Sequence, residues 1–384
     1  MQSHISHILA KAAAGEVLST EEGYRLIHCP DEDAPALLSA ASALRDQHKG
    51  RTVTYSRKVF LPITNLCRDR CSYCTFRKDP RDPTAWTMSP NDLHEWLGRG
   101  RTQGCKEALM CLGDKPELAY SSYRKTLADF GHTNTTEYIY RACEMALEYG
   151  ILPHTNAGVM TYEEMKWLKD VNVSLGLMLE NISPRLRERG MAHFSAPDKD
   201  PVVRVRMLRE AGELEIPFTT GILIGIGETL EERIDSLVAI RDIHREYGHI
   251  QEVIVQNFRA KPDTRMAGAP EPESLDMAKT VAIARLLLGG QMNLQAPPNL
   301  SPDDHKLLLR AGINDWGGIS PVTKDYVNPE AAWPHLAALA DTCAEEGFTL
   351  RERLAIYPEY INRPGFLLPA LRPRTEELQA QVSS

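Results

Sequence analysis

The 384-residue sequence has no run of about 18 consecutive apolar residues, so nothing in it predicts a membrane-spanning helix. Its longest apolar stretches are broken by charges such as Arg285. Basic residues are in deficit: 44 Lys and Arg against 52 Asp and Glu give a net charge of −8. No Lys/Arg-dense segment offsets that balance, which argues against nucleic acid as a partner and against a polybasic membrane patch. Residues 1–15 lack a basic segment followed by an apolar core, so no secretory signal is predicted there. Internal repeats, low-complexity tracts and long linkers are also missing. These absences predict a cytoplasmic protein. Thiols stay reduced there, and clustered cysteines point to a metal rather than to disulfides.

Three of the eight cysteines lie close together, in Cys67-Arg68-Asp69-Arg70-Cys71-Ser72-Tyr73-Cys74. A short loop can turn three sulfurs at this spacing toward one centre. Cys105, Cys111, Cys143 and Cys343 are scattered and read as small apolar residues in or near the core. On residues alone, the cluster is a set of buried thiols, a zinc site or an iron–sulfur site. Zinc favours four ligands, commonly as two close pairs, and no second Cys-x-x-Cys or His-x-x-x-His occurs. A 4Fe–4S cluster held by three thiolates fits the count better, and leaves one iron open to a small molecule.

From about residue 53, short apolar runs alternate with longer amphipathic ones. Strands are predicted at 53–64, 108–112, 152–156, 173–179, 218–225, 252–258, 292–296 and, more weakly, 313–316. Helix starts stand between them. Ser89-Pro90-Asn91-Asp92 offers an N-cap, a proline at the first helical position and an acid in the first turn. Thr161–Glu164 and Thr229–Glu232 both fit the capping box. Leu230, Ile234, Leu237 and Val238 share one helical face. Repeated strand–helix alternation with near-continuous apolar strands predicts an α/β fold, a (β/α) TIM-type barrel, complete or nearly complete, over residues 53–356. A helical cap, 1–52, precedes it and a C-terminal tail, 357–384, follows.

In such a barrel the chemistry gathers where strands end. Gly113 and Asp114 close the second strand and Glu180 the fourth; Gly221–Glu228 carries the end of the fifth. Other strand ends supply His154, Asn156, Gln256, Asn257, Gln295 and Asn299. Each alone reads first as a structural residue. Together they predict a neutral, hydrogen-bonding pocket suited to a polar heterocycle or polyol, with loops 181–200 and 259–273 placed to close over it.

The Cys67-x-x-x-Cys71-x-Tyr73-Cys74 motif, on a loop after the first strand, resembles the signature of the radical S-adenosylmethionine (SAM) superfamily. The resemblance implies a 4Fe–4S cluster on Cys67, Cys71 and Cys74, with SAM on the open iron as the source of a 5′-deoxyadenosyl radical. It implies further that Tyr73 lies against the adenine, that Gly113 and Asp114 stand where relatives carry Gly-Gly-Glu for the SAM amino group, and that Gly225 approaches the adenine. Glu180 reads either as a cap or as a ligand for ribose or ammonium. Finer segments narrow this. CRDRCSYCTF at 67–76, LGDKPE at 112–117, QAPPNL at 295–300 and NDWGGISPVTKDYVNPE at 314–330 are similar to the family of FO synthase first subunits.

That family implies a substrate, the adduct of a tyrosine-derived hydroxybenzyl group with 5-amino-6-ribitylaminouracil. It implies a product, 7,8-didemethyl-8-hydroxy-5-deazariboflavin, formed with loss of ammonia. It also implies a pathway partner, FO synthase subunit 2, and an electron donor. Two other readings stay open: the partner's own activity on tyrosine, and a non-catalytic iron–sulfur electron carrier.

Overall fold

A computed structural model describes residues 5–383. The first four residues of the expected cap and the last residue of the expected tail lie outside that range. Nine parallel strands form one sheet: β1 (Thr52–Thr64), β2 (Glu107–Leu112), β3 (Leu152–Asn156), β4 (Ser174–Gly176), β5 (Phe218–Ile224), β6 (Ile250–Asn257), β7 (Leu294–Gln295), β8 (Asp315–Ile319) and β9 (Thr349–Arg353). Strands β1 to β8 pair in order, and β1 pairs with both β8 and β2, which closes the barrel. Helices cover the outside, so a strand such as β5 is buried at every residue.

Local sequence explains the helix starts. Ser89 with Asp92, Thr161 with Glu164 and Thr229 with Glu232 each form a reciprocal capping box. The N-terminal helices Thr20–Ile27 and Ala34–Lys49 pack on Leu230–Tyr247 and Ser274–Leu288, and Ser6–Ala13 packs on Ala34–Lys49. No described helix is long and apolar enough to cross a membrane.

Two differences from the sequence reading follow from hydrogen bonding. The fourth strand is regular only over 174–176, and the chain rejoins β5 at Glu180, which adopts φ +62 and bridges to Ile222. The Leu179 amide turns to the Thr220 hydroxyl at 3.2 Å. The ninth strand was not anticipated, because Thr349-Leu-Arg-Glu-Arg carries no apolar pattern. It pairs with the first half of β1, and its last side chain, Arg353, turns into the barrel. There the guanidinium meets Asp315 at 2.6 Å and Glu252 at 2.7 Å. Residues 354–371 then cross beneath the barrel. Leu354, Ile356, Tyr357, Tyr360, Phe366 and Leu371 pack with Leu152 and Val173 as a separate apolar group. This group plugs the lower end of the barrel.

Three histidines at or below the strands are held neutral. Burial lowers His154 to about 4, His244 to about 4 and His249 to about 3. In the unfolded chain each binds a proton below about pH 6.5. The folded state thus binds fewer protons as pH falls from 6.5 toward 4, and stability drops with it. The expected slope between pH 6.5 and 5 reaches about 1.4 kcal/mol per pH unit for each histidine. Denaturant titrations across that window check this, and His249→Leu is expected to remove up to about a third of the slope. A flat profile would contradict it.

Candidate active site

The loop between β1 and residue 78 is tied at its base. The Asn65 side chain accepts the Trp86 amide and donates to the Thr84 carbonyl, both at 2.8 Å, and the Lys78 amide bonds the Asn65 carbonyl at 2.8 Å. Beyond the tie, alternate amides reach out to neighbouring loops. Arg68 N–H bonds the Asp114 carbonyl, Arg70 N–H that of Ser195 and Ser72 N–H that of Ala192, at 3.0, 2.9 and 2.9 Å. The loop is thus held like an extra strand between the end of β2 and the 181–200 segment. That pattern turns Cys67, Cys71 and Cys74 into one cavity of about 250 Å³ at the open end of the barrel.

The Cys67 sulfur accepts the Asp114 amide at 3.0 Å. Gly113 is required for this approach, since a Cβ there would overlap Cys67 Cβ and Sγ. Burial pushes the Cys67 thiol up to about 12 and lifts Cys71 well above its ordinary range. Thiols this buried ionise only beside a positive centre, and a bound metal supplies one. Cys111, expected in the core, instead faces the same cavity from β2.

Tyr73, Asp114 and Glu180 also line this cavity, as does Gly113. The Tyr73 hydroxyl donates to the Glu180 carboxylate and lies 3.1 Å from His193 Nε2. Glu180 is paired with Lys199 and stands 3.1 Å from His193 Nε2. Burial acts to raise the Glu180 acid, but Lys199, His193 and Arg204 outweigh it and hold the group well below the usual carboxylate range. Three of its roughly four acceptor sites are taken, which leaves one for a ligand. Its left-handed backbone is strain held in place by these partners.

Asp114 accepts the Val159 amide through Oδ2 at 2.9 Å, while Oδ1 is buried without a partner among the described residues. Burial first, then Asp198 and Asp69, push its acid upward. The three carboxylates place ligand atoms within 4.8 Å of one another. Arg204 is the complementary case. It lines the cavity at 4% exposure, with Nε and Nη1 both lacking acceptors among the described residues. One orphan acceptor and two orphan donors around one cavity fit the ammonium and carboxylate of an amino acid, which is the end of SAM that would meet the three thiols.

Arg204 was not read from the sequence. Its signal was available: it shares a helix face with the buried Met207, Leu208 and Ala211, where an unpaired arginine is out of place. Gly225 is not in the cavity wall. Its amide donates to Glu228 at 2.7 Å, and it is Leu223 on the same strand that faces the cavity. Asn156, Gln256 and Asn257 do line it, and Asn257 Oδ1 is buried and unpartnered. Asn299 is turned away, to Asp325 at 2.9 Å. The two long loops close the site as expected. Leu186 and Ala192 from one, and Met266 and Ala269 from the other, form an apolar group with Tyr73, Leu223, Ile226 and Phe258.

Comparison with known proteins shows the family. The Radical SAM superfamily profile matches residues 61–240. The chain is 50% identical over 312 residues to the 7,8-didemethyl-8-hydroxy-5-deazariboflavin synthase of Methanopyrus kandleri, covering 81% of this chain and 93% of that one. It is 46% identical to the FO synthases of Mycobacterium tuberculosis and Streptomyces avermitilis, covering 94% and 98% of this chain but only 44% and 45% of theirs. The chain therefore spans under half the length of those longer relatives. Among solved structures, methylornithine synthase (PylB) superposes with a TM-score of 0.71 at 18% identity, over 89% of this chain and 97% of that one. The FeFe-hydrogenase maturase HydG from Carboxydothermus hydrogenoformans gives 0.70 at 21% identity, over 98% and 89%. These two share the fold. On the sequence matches, the chain belongs to the radical SAM superfamily and, within it, to the family of deazaflavin-forming FO synthases.

Proposed function

We propose that this barrel converts the hydroxybenzyl adduct of 5-amino-6-ribitylaminouracil to 7,8-didemethyl-8-hydroxy-5-deazariboflavin, with release of ammonia, as a radical SAM carbon–nitrogen lyase of the cytoplasm. The names borne by the relatives support the product. The observation that carries the reading is the cavity itself: three thiols with Asp114 and Arg204 in its wall, together with the amides of Asn156 and Gln256 and the unpartnered Oδ1 of Asn257.

In this reading Cys67, Cys71 and Cys74 hold a 4Fe–4S cluster. Asp114 takes the SAM ammonium and Arg204 its carboxylate. Gly113 keeps Cys67 close, and Tyr73 and Glu180 face the nucleoside. Gly225 and its bond to Glu228 hold the end of β5 in shape beside Leu223. Cluster and SAM together supply a radical able to take hydrogen from a carbon that no base can deprotonate. The chain's own residues bind, orient and exclude water, which the apolar group joining the two loops serves. An electron donor and a second enzyme that forms the adduct, FO synthase subunit 2, complete the requirements.

An assay with two substrates tests the reading against its nearest rival. Reconstituted protein is expected to consume the adduct and to leave free tyrosine untouched. Consumption of tyrosine in the presence of the ribitylaminouracil would transfer the chain to the preceding step.

A further inference from the structure

Residues of β1 alternate between two environments. Val53, Val59, Leu61 and Ile63 join the core beneath the helices, while Thr54, Ser56 and Lys58 point into the barrel. Lys58 is 8% exposed. Its ammonium lies 5.4 Å from the centre of the Phe60 ring and 5.2 Å from that of Trp333. It has no hydrogen-bond acceptor and no carboxylate partner among the described residues.

Glu107 stands opposite Lys58 in the β1–β2 register, but no carboxylate oxygen of the barrel is in ion-pair contact with the ammonium among the described residues. Glu107 accepts from Ser56. Glu252 and Asp315 share Arg353, and Glu252 also accepts from Thr219 and Tyr357, each at 3.1 Å. An ammonium mostly withdrawn from water with no carboxylate in contact keeps an unmet demand for an anion that the aromatic faces only partly satisfy.

The chain has nevertheless been cut to fit this side chain. A Cβ on Gly318 would stand 2.5 Å from Lys58 Nζ, and one on Gly317, at φ +72, would overlap the Gln295 amide. The adjacent glycines of Asp315–Ile319 thus make room for one cation and one amide, and the Gln295 amide also lacks a partner among the described residues. The cation stands close to the cavity. Burial pushes the Cys111 thiol up to about 12, and among its neighbours Lys58 is the charge that opposes this. Cys111 is itself a wall of the cavity, alongside Asn156 and Gln256.

We propose that Lys58, with Gln295 beside it, is a substrate anchor at the floor of the barrel: its ammonium takes a negatively charged oxygen conjugated to a planar ring, that of a cyclic imide or of a phenol. This rests on the proposed reaction, whose substrate carries both a uracil and a phenol. The anchor would fix the depth of the substrate beneath the SAM site and leave the amides of Asn156 and Gln256 for its remaining polar edge.

The test is anaerobic calorimetry and thermal melting of the reconstituted protein with two probes, 6-ribitylaminouracil and 4-hydroxybenzyl alcohol. Wild-type protein is expected to bind at least one probe. Lys58→Met is expected to weaken that probe about 30-fold or more, while the ligand-free melting midpoint stays level or rises, because an unpaired buried charge has been removed. Lys58→Arg keeps the charge and is expected to regain part of the affinity. Loss confined to the uracil probe assigns the imide oxygen, and loss confined to the alcohol assigns the phenol.

Unchanged affinity in Lys58→Met overturns the proposal, as does a lower ligand-free midpoint with the affinity kept. If that variant does not fold, Gly318→Ala, which displaces the ammonium, is read in its place against the same two criteria. Wild-type protein that binds a probe through Lys58 but does not turn over the adduct would refute the proposed reaction and leave the anchor standing. Binding of neither probe would overturn both.

Discussion

Cys71→Ser is expected to lose its iron and its brown colour on reconstitution, and to cleave SAM at least ~1000-fold more slowly than the native chain. The cause is local. Three sulfurs are held on one loop whose amides are spent, at every second residue, on the backbone of neighbouring loops. A serine oxygen in that place is a hard ligand on a loop without freedom to move and compensate. Cys111→Ser is the informative companion. Cys111 faces the same cavity but comes from β2, away from the loop. It is expected to retain iron at the native ratio. Iron analysis of the two variants side by side checks both statements. Iron kept by Cys71→Ser and lost by Cys111→Ser would mean that the metal sits on a different set of thiols.

Glu180→Gln is expected to weaken SAM binding by roughly 100-fold and to lower the melting midpoint by a few degrees. Glu180 is the anion to which Lys199, His193 and the Tyr73 hydroxyl all point. Removing its charge takes from Lys199, 13% exposed at the side chain, the carboxylate in direct contact with it and leaves only the more distant Asp69 in the cavity wall. Breaking a buried pair costs up to about 3–5 kcal/mol, and Asp69 keeps the loss below that. The strained backbone at Glu180 is also held by these bonds, so the 181–200 segment loosens with them. Glu180→Asp keeps the charge on a shorter arm and is expected to fall between the two. Isothermal titration with SAM and a melting curve on each variant decide it. A glutamine variant that binds SAM as tightly as the native chain would remove Glu180 from the nucleoside end of the site.

The sequence was most readable where local rules act. Capping boxes at Thr161 and Thr229 and the apolar strand runs depend on residues a few positions apart, and both stand in the structure. The three cysteines were legible because their spacing alone brings them onto one loop. Long-range pairing was not legible. Strand β9 has one apolar residue, Leu350, and is buried only at Arg353, which meets Asp315 and Glu252 inside the barrel. Arg204 carries no motif, and it gains meaning only when its helix is seen to turn it into the cavity.

The Asp315-Trp316-Gly317-Gly318 segment lies between these cases. Its residues marked the family, but the need for two glycines is steric and depends on Lys58 and Gln295, which lie far from them in the chain. Gly225 shows the opposite limit. The strand was read as ending at Gly225 and ends one residue earlier, at Ile224; the Gly225 amide is spent on Glu228 and its side faces Pro272 rather than the cavity.

The central claim is that one cavity holds both the radical source and the adduct. The most direct measurement is an anaerobic incubation of the protein, reconstituted with iron and sulfide, with SAM, a reductant and the hydroxybenzyl–ribitylaminouracil adduct. Fluorescent deazaflavin and 5′-deoxyadenosine are then quantified in the same tube. The account predicts that both form together and in constant proportion, and that neither forms without the adduct at a comparable rate. Deazaflavin without 5′-deoxyadenosine, or SAM cleavage that leaves the adduct intact, would contradict it.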